Sequence, residues 1–422
     1  MTDNPQAATV THRISLTDLA FGGEAIGRLE GRVVFVPYGL PGEEVAVELT
    51  EDRRDFARGR IVGILKASPE RVQPPCQYYG ECGGCSLQHA DYPAQLEFKR
   101  KVVVEQLRRI GHVERAAELV LPTIGMISPW GYRNHARFTV GRRFGELCFT
   151  KRGTHRLMRI DHCLLMQPAI NEAVPKLQGK LVGFKGHQVA LRHGANTGDL
   201  LINPRLEAVP ELPSGQGAIE EELFGRRFRI AAPAFFQVNT KREQRPIPDG
   251  LRAPPWPLPA DGLSMAEIIV VVVNDRLALK GSELVVDAYS GVGTFAVLLA
   301  PSAGKVIGIE ESTAAVKDAR QNAADLENVE FFEGKTEDVL PKLDERPDAI
   351  VLDPARVGCQ PAVLEALARL VVPRIVYVSC DPATLARDLA ILAERGFRLE
   401  SVQPIDMFPE TYHVEAVAAL RA

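Results

Sequence analysis

The sharpest chemical signal in this chain is a cysteine that ends an apolar run. Arg374-Ile375-Val376-Tyr377-Val378-Ser379-Cys380 is β-branched and apolar enough to read as a strand buried on both faces, and Asp381-Pro382 stops it. Ala383 to Glu394 then reads as a helix with Asp381 or Pro382 near its start. Ligands of open α/β sheets bind outside the carboxyl ends of the strands. The Cys380 thiol is thus expected beside a ligand crevice, close to helix N–H groups that favour a thiolate. A small buried core cysteine is the alternative reading, and local sequence leaves both open.

A second group lies upstream. Asp287-Ala288-Tyr289-Ser290-Gly291-Val292-Gly293-Thr294 sits between a predicted strand, Glu283 to Asp287, and a helix running to Ala300. Gly291 and Gly293 permit a tight turn and close backbone approach to a ligand, although the spacing departs from the dinucleotide fingerprint, with Ala296 at its last position. Glu310 ends the next predicted strand, where an acidic residue can take the hydroxyls of a ribose. Adenosine binding follows, with both NAD and S-adenosylmethionine compatible. Asp353-Pro354-Ala355-Arg356 ends a further strand and sets a carboxylate at the same crevice, or is a simple turn. Glu415 opens an otherwise apolar final strand, as a structurally paired acid or as a base with a raised pKa.

A third group is metal-like. Cys76, Cys82 and Cys85 fall within ten residues among Gly80, Gly83 and Gly84, and Cys163 lies far downstream. Three close thiolates and a remote fourth suit an iron–sulfur cluster better than zinc, which favours paired Cys-x2-Cys knuckles. Cys148 and Cys359 match no motif and read as structural.

These groups need scaffolds, and the chain offers them in order. Residues 1 to about 10 are polar and expected to be loose. From Thr11 to about Ser68, short β-rich runs alternate with Gly and Pro, so residues 1–68 read as an OB-like β-barrel. Residues 69–239 read as a central mixed α+β domain, with a helix from Pro93 to Ile110. Residues 240–264 carry six prolines and read as a linker or insertion. Residues 265–422 alternate strands and helices as in a parallel, doubly wound α/β sheet.

Composition sets outer limits. The 422 residues are 45% hydrophobic and 25% charged, with no apolar run long enough to span a bilayer; Ile268 to Val273 is the densest. Seven cysteines, unevenly placed, argue against a disulfide framework and for a reducing compartment. Net charge is only −4, yet Lys99 to Arg159 holds fourteen Lys and Arg against four Asp and Glu. Trp130, Tyr132, Phe138, Phe144 and Phe149 interleave with that charge, a pattern suited to a phosphate backbone and stacked bases, or else a solvated basic face.

Taken together, these motifs resemble the S-adenosylmethionine-dependent RNA uracil-5-methyltransferases, in the iron–sulfur form with an N-terminal TRAM domain. The likeness covers nearly the whole chain: Gly22-Gly23-Glu24 to Gly27, Val34-Phe35-Val36-Pro37 and Pro41-Gly42-Glu43 for the TRAM barrel, then the four cysteines. Phe235-Phe236-Gln237-Val238-Asn239, the Tyr289 turn, Glu310, Asp353, Ser379 to Leu385, and Phe408-Pro409 to Glu415 follow in order. Ala355 departs from the family's Asp-Pro-Pro-Arg while keeping the carboxylate.

The resemblance implies a class I, Rossmann-like methyltransferase domain and methylation of carbon 5 of a uridine, with Cys380 as nucleophile and Glu415 as base. It implies S-adenosylmethionine binding by Gln237, Tyr289, Glu310, Asp353, Asp287, Gly291 and Gly293. It further implies a [4Fe–4S] cluster on Cys76, Cys82, Cys85 and Cys163, and a cytoplasmic monomer acting on RNA. The barrel favours 23S rRNA; tRNA is the rival substrate. A non-catalytic RNA-binding iron–sulfur protein would need neither Cys380 nor Glu415, and a radical enzyme would carry Cys-x3-Cys-x2-Cys.

Overall fold

A computed structural model describes residues 10–422, so the expectation of a loose start falls almost wholly outside the described residues. Two compact units are distinguished. The first runs to Phe98 and takes in Glu410–Tyr412; the second holds Lys99–Pro409 and His413–Ala422.

In the first unit, β1 (Thr11–Leu19), β2 (Glu24–Leu29), β3 (Arg32–Pro37), β4 (Glu44–Asp52) and β5 (Phe56–Lys66) close a barrel in the order β1-β2-β3-β5-β4. Alternation along each strand turns Ile14, Leu16, Ala25, Val34, Val36, Val45, Val47 and Ala57 into one core. The packing is tight enough that a Cβ at Gly59 would lie 2.0 Å from Val47 Cγ1.

Helix α1 (Tyr92–Arg109) spans the boundary between the units and is followed by the short α2 (Ala116–Leu119). The next sheet contains β6 (His135–Gly141), β7 (Glu146–Thr150), β8 (Leu157–Arg159), β9 (Gln188–His193) and β10 (Leu200–Asn203), in the order β10-β9-β6-β7-β8. Helix α3 (Pro168–Leu177) lies between β8 and β9, and a hairpin of β11 (Ala218–Leu223) and β12 (Arg226–Ala231) follows β10. Tyr132 and Phe138 are fully buried, so they are core residues and not stacking platforms. Phe144 is exposed, with the Arg143 guanidinium 4.9 Å from its ring centre.

Residues 240–264 form no helix or strand, as six prolines require. They are nonetheless anchored. Arg242 bridges Glu222 and Glu267, and the Glu243 carboxylate accepts from the backbone N–H groups of Ile127 and Ser128, each at 2.8 Å.

The last sheet carries the site. Its strands are β13 (Leu284–Ala288), β14 (Lys305–Glu310), β15 (Val329–Glu333), β16 (Ala349–Leu352), β17 (Arg374–Ser379), β18 (Arg398–Ile405) and β19 (Glu415–Arg421), in the order β15-β14-β13-β16-β17-β19-β18. Helices α4 (Met265–Leu277), α5 (Thr294–Leu299), α6 (Thr313–Asn322), α7 (Thr336–Val339), α8 (Pro361–Leu370) and α9 (Pro382–Glu394) accompany them. Six strands point the same way, and only β19 is reversed, antiparallel to both of its neighbours, so the expected parallel sheet is mixed. The last crossover is replaced by a β-hairpin-like return, and that return brings the start of β19 to the carboxyl end of β17. The apolar run Ile268 to Val273 is the middle of α4, buried all round. Among the described residues, no helix is long and apolar enough to cross a membrane.

Candidate active site

The carboxyl ends of β13, β14, β16 and β17 converge with the amino end of β19, and the second unit gathers its chemistry there. Ser379 pairs with Ala416 in the last rung of the β17–β19 ladder. Continuing that register by one residue sets Cys380 opposite Glu415, the spacing of neighbouring strands. Asp353 follows Leu352, which pairs with Tyr377 of β17 and with Ala288 of β13. Cys380, Glu415 and Asp353 are therefore one cluster, as their chemistry suggested.

The cluster is acidic and partly enclosed, with Asp353 and Cys380 half-buried. Glu415 is 3% exposed, and burial, then the Asp353 charge, pushes its carboxyl well above the usual range while Arg356 pulls it down. Burial raises Asp353 to about 7, against a hydrogen bond from Gln237. The Cys380 thiol is pushed up to about 11, first by burial and then by the Glu415 charge, with Arg356 acting in the opposite direction through its charge and a hydrogen bond. The expected help from helix N–H groups does not arrive. Asp381 caps α9 itself, its Oδ1 accepting from Ala383 N and Thr384 N at 3.0 Å each. Arg356 is the group that opposes the rise. The sequence places Arg356 in the Asp353 turn without revealing this part, because a side chain's reach across two turns is not a local signal.

The glycine turn forms the other wall. Tyr289 has φ 67° and Gly293 φ 85°, and Gly291 would meet nothing within 4 Å if it carried a Cβ. Glu310 holds the turn: its Oε2 accepts from Gly291 N at 2.9 Å and its Oε1 from Ser312 N at 2.8 Å. Each oxygen keeps a lone pair for a ligand. Asp287 is fully buried, with Oδ2 accepting from Ala296 N at 2.9 Å and Oδ1 without a partner; burial raises its carboxyl well above normal. A cavity lined by Phe235, Gln237, Tyr289, Ser290, Gly291 and Asp353 opens here, and Phe235 is 68% exposed at its edge. An orphaned acidic oxygen, an open glycine turn and a ribose-type acid fit an adenosine-bearing cofactor.

The cysteine quartet divides between the two units. Cys76, Cys82 and Cys85 lie half-buried in the first unit, where Gly84 N donates to Cys82 Sγ at 3.4 Å. Cys163 lies in the second, its N–H donating to Asn171 Oδ1 at 2.9 Å. Among the described residues, no three His, Cys, Asp or Glu side chains gather as a metal site.

With this geometry in hand, the likeness to known proteins is decisive. A TRAM domain matches residues 10–62 and a methyltransferase domain matches residues 279–404. A protein of Halalkalibacterium halodurans named as an uncharacterized RNA methyltransferase is 34% identical, over 96% of each chain. Another of that description, from Gloeobacter violaceus, is 36% identical over 98% of this chain and 97% of its own. The chain belongs to the RNA methyltransferase family. This RNA methyltransferase also shares its fold with the Pyrococcus abyssi tRNA (uracil-54, C5)-methyltransferase, solved in complex with S-adenosyl-L-homocysteine. That match has a TM-score of 0.70 at 24% identity and covers 97% of this chain and 99% of the other.

Proposed function

We propose that the enzyme methylates carbon 5 of a uridine in RNA, with S-adenosylmethionine as donor, through a covalent bond between Cys380 and carbon 6. The observation that carries this reading is the placement of a cysteine opposite a buried acid at the strand ends that hold the glycine turn. A methyltransferase acting on an already nucleophilic nitrogen or oxygen would need no such pair.

The cofactor supplies an electrophilic methyl group on a sulfonium. Carbon 5 of uracil is too weak a nucleophile to take it unaided. Addition of the Cys380 thiolate to carbon 6 makes the C–S bond and moves an electron pair to carbon 5 as an enolate, which would take the methyl as its bond to the sulfonium sulfur breaks and a neutral thioether leaves. Glu415, as carboxylate, removes the hydrogen from carbon 5. The C–S bond breaks, the double bond re-forms, and the thiolate returns. Arg356 stabilises the anionic forms of both residues. Gln237, Tyr289, Glu310, Asp353, Asp287, Gly291 and Gly293 hold the cofactor. The target uridine must be flipped or single-stranded to reach Cys380.

The TRAM barrel supports 23S rRNA as the substrate, and the fold shared with a tRNA enzyme supports tRNA as the alternative. A [4Fe–4S] cluster on Cys76, Cys82, Cys85 and Cys163 rests on an all-thiolate donor set and its spacing, and no step of the reaction passes through it. We place the enzyme in the cytoplasm as a monomer. Tritiated-methyl S-adenosylmethionine with unmodified 23S rRNA and tRNA transcripts tests the assignment. Label in 5-methyluridine of rRNA is expected, label in tRNA moves the substrate to the alternative, and label in any other nucleoside rejects the reaction.

A further inference from the structure

The loop after β16 carries both Asp353 and Arg356, and side chains of α9 hold its backbone by hydrogen bonds. Asp388 on α9 is fully buried; its Oδ2 accepts from Cys359 N at 2.8 Å and from the Tyr377 hydroxyl at 2.7 Å. Arg387 donates from Nε to Asp388 Oδ1 at 2.8 Å and from Nη2 to Val357 O at 2.9 Å. Thr384 Oγ1 donates to Arg356 O at 3.1 Å. Contact is close enough that Gly358, with φ 76°, could carry no side chain: its Cβ would lie 2.5 Å from Arg387 Nη2 and 2.6 Å from Asp388 Oδ2.

Tyr377 and Cys359 also adjoin Tyr289 of the cofactor wall, whereas Arg387 bonds to Asp388 and the loop backbone. The bonds from Thr384 and Arg387 reach the backbone of Arg356 and its neighbour Val357. Cys380 lies next to Asp381, the cap of α9, and Arg356 belongs to the loop that α9 holds. One helix is therefore joined to the strand end that carries Cys380 and bonded to the loop that carries Arg356.

We propose that Arg387 and Asp388 are positioning residues that hold the loop of residues 354–359 so that Arg356 reaches the Cys380 thiol. The inference rests on the uridine-methylation reading for its kinetic consequence but not for its electrostatic one. Arg387 is the residue to change first, because its side chain is nearly half exposed and its loss leaves the core intact. In the full-length enzyme, Arg387→Met is expected to lower kcat about 10- to 100-fold, the scale of a small misplacement in a reacting site. KM for S-adenosylmethionine and for RNA should stay within about 3-fold, since no binding group is removed.

The second readout is the pH dependence of Cys380 alkylation by iodoacetamide, followed on the Cys380 peptide by mass spectrometry. Arg387→Met should shift that profile to higher pH. Asp388→Asn, which keeps an acceptor for Cys359 N and Tyr377 but loses the ion pair, should shift it less. A wild-type alkylation profile and wild-type kcat in Arg387→Met would overturn the inference. Lower thermal stability with both readouts unchanged would also overturn it, leaving Arg387 a stabilising residue only. Because alkylation needs no turnover, a wild-type enzyme that methylates no uridine would count against the proposed function and still leave this inference decided by the thiol profile.

Discussion

Cys380 lies one residue beyond the rung that pairs Ser379 with Ala416, and so stands across the β17–β19 ladder from Glu415. The proposed nucleophile and the proposed base are held to each other by strand register, with no loop between them. That arrangement depends on β19 running antiparallel between β17 and β18. In an all-parallel sheet, the residue at that level of the neighbouring strand would be another carboxyl end, and Glu415 would lie at the opposite edge.

Removing the proposed nucleophile should separate chemistry from binding. Cys380→Ala should abolish methyl transfer while leaving affinity for cofactor and RNA within a few-fold, checked by calorimetry and filter binding. Substantial turnover by this variant would sink the covalent route.

Arg356→Met tests the activation of the thiol. The thiol stands at about 11 with Arg356 opposing the rise, so losing that cation should move it further up. Alkylation of Cys380 should then need a higher pH. Near neutrality kcat should fall with the thiolate fraction, by about 10-fold or more. Arg356 is exposed, so stability should barely change.

Asp353 makes stability depend on pH. Its carboxyl rises from an ordinary 3.8 to about 7 on folding, because burial opposes the charged form. The folded state then binds the proton more tightly than the unfolded state, and stability falls as pH rises across that window. Asp353→Asn should flatten this part of the curve, read as the thermal midpoint of cofactor-free protein at several pH values. A wild-type pH dependence in the variant would reject Asp353 as the titrating group.

Gly293→Ala probes the turn. An L side chain at φ 85° is strained, and the new Cβ would meet Phe331 Cζ at 2.9 Å. We expect a loss of about 1–3 kcal/mol from the backbone conformation alone, together with weaker cofactor binding. An unchanged thermal midpoint would contradict the strained turn.

How much of this was legible in the sequence follows a physical line. The limits of β17 and α9 and the turn at Tyr289 were readable, because strand composition, an Asp-Pro stop and glycines at positive φ are local signals. Ile268 to Val273 gave no such guidance. Its β-branched residues favour strands, but burial on every side and the Ser264–Glu267 capping box make it a helix. The reversed β19 was equally hidden, since pairing order leaves no mark on local pattern. Tyr132 and Phe138 looked like stacking platforms because charge surrounds them in sequence, yet strand alternation turns them inward. Arg356 was visible as a residue but not as a partner of Cys380, which only the fold brings near.

The most direct test of the covalent route uses RNA in which the target uridine is replaced by 5-fluorouridine. Fluorine cannot be removed as a proton, so the reaction should halt after methyl transfer. The expected product is a denaturation-stable protein–RNA adduct, dependent on S-adenosylmethionine, whose mass maps to the Cys380 peptide plus methylated fluorouridine. Methyl transfer to ordinary RNA without any adduct at Cys380 on the fluorinated substrate would contradict it.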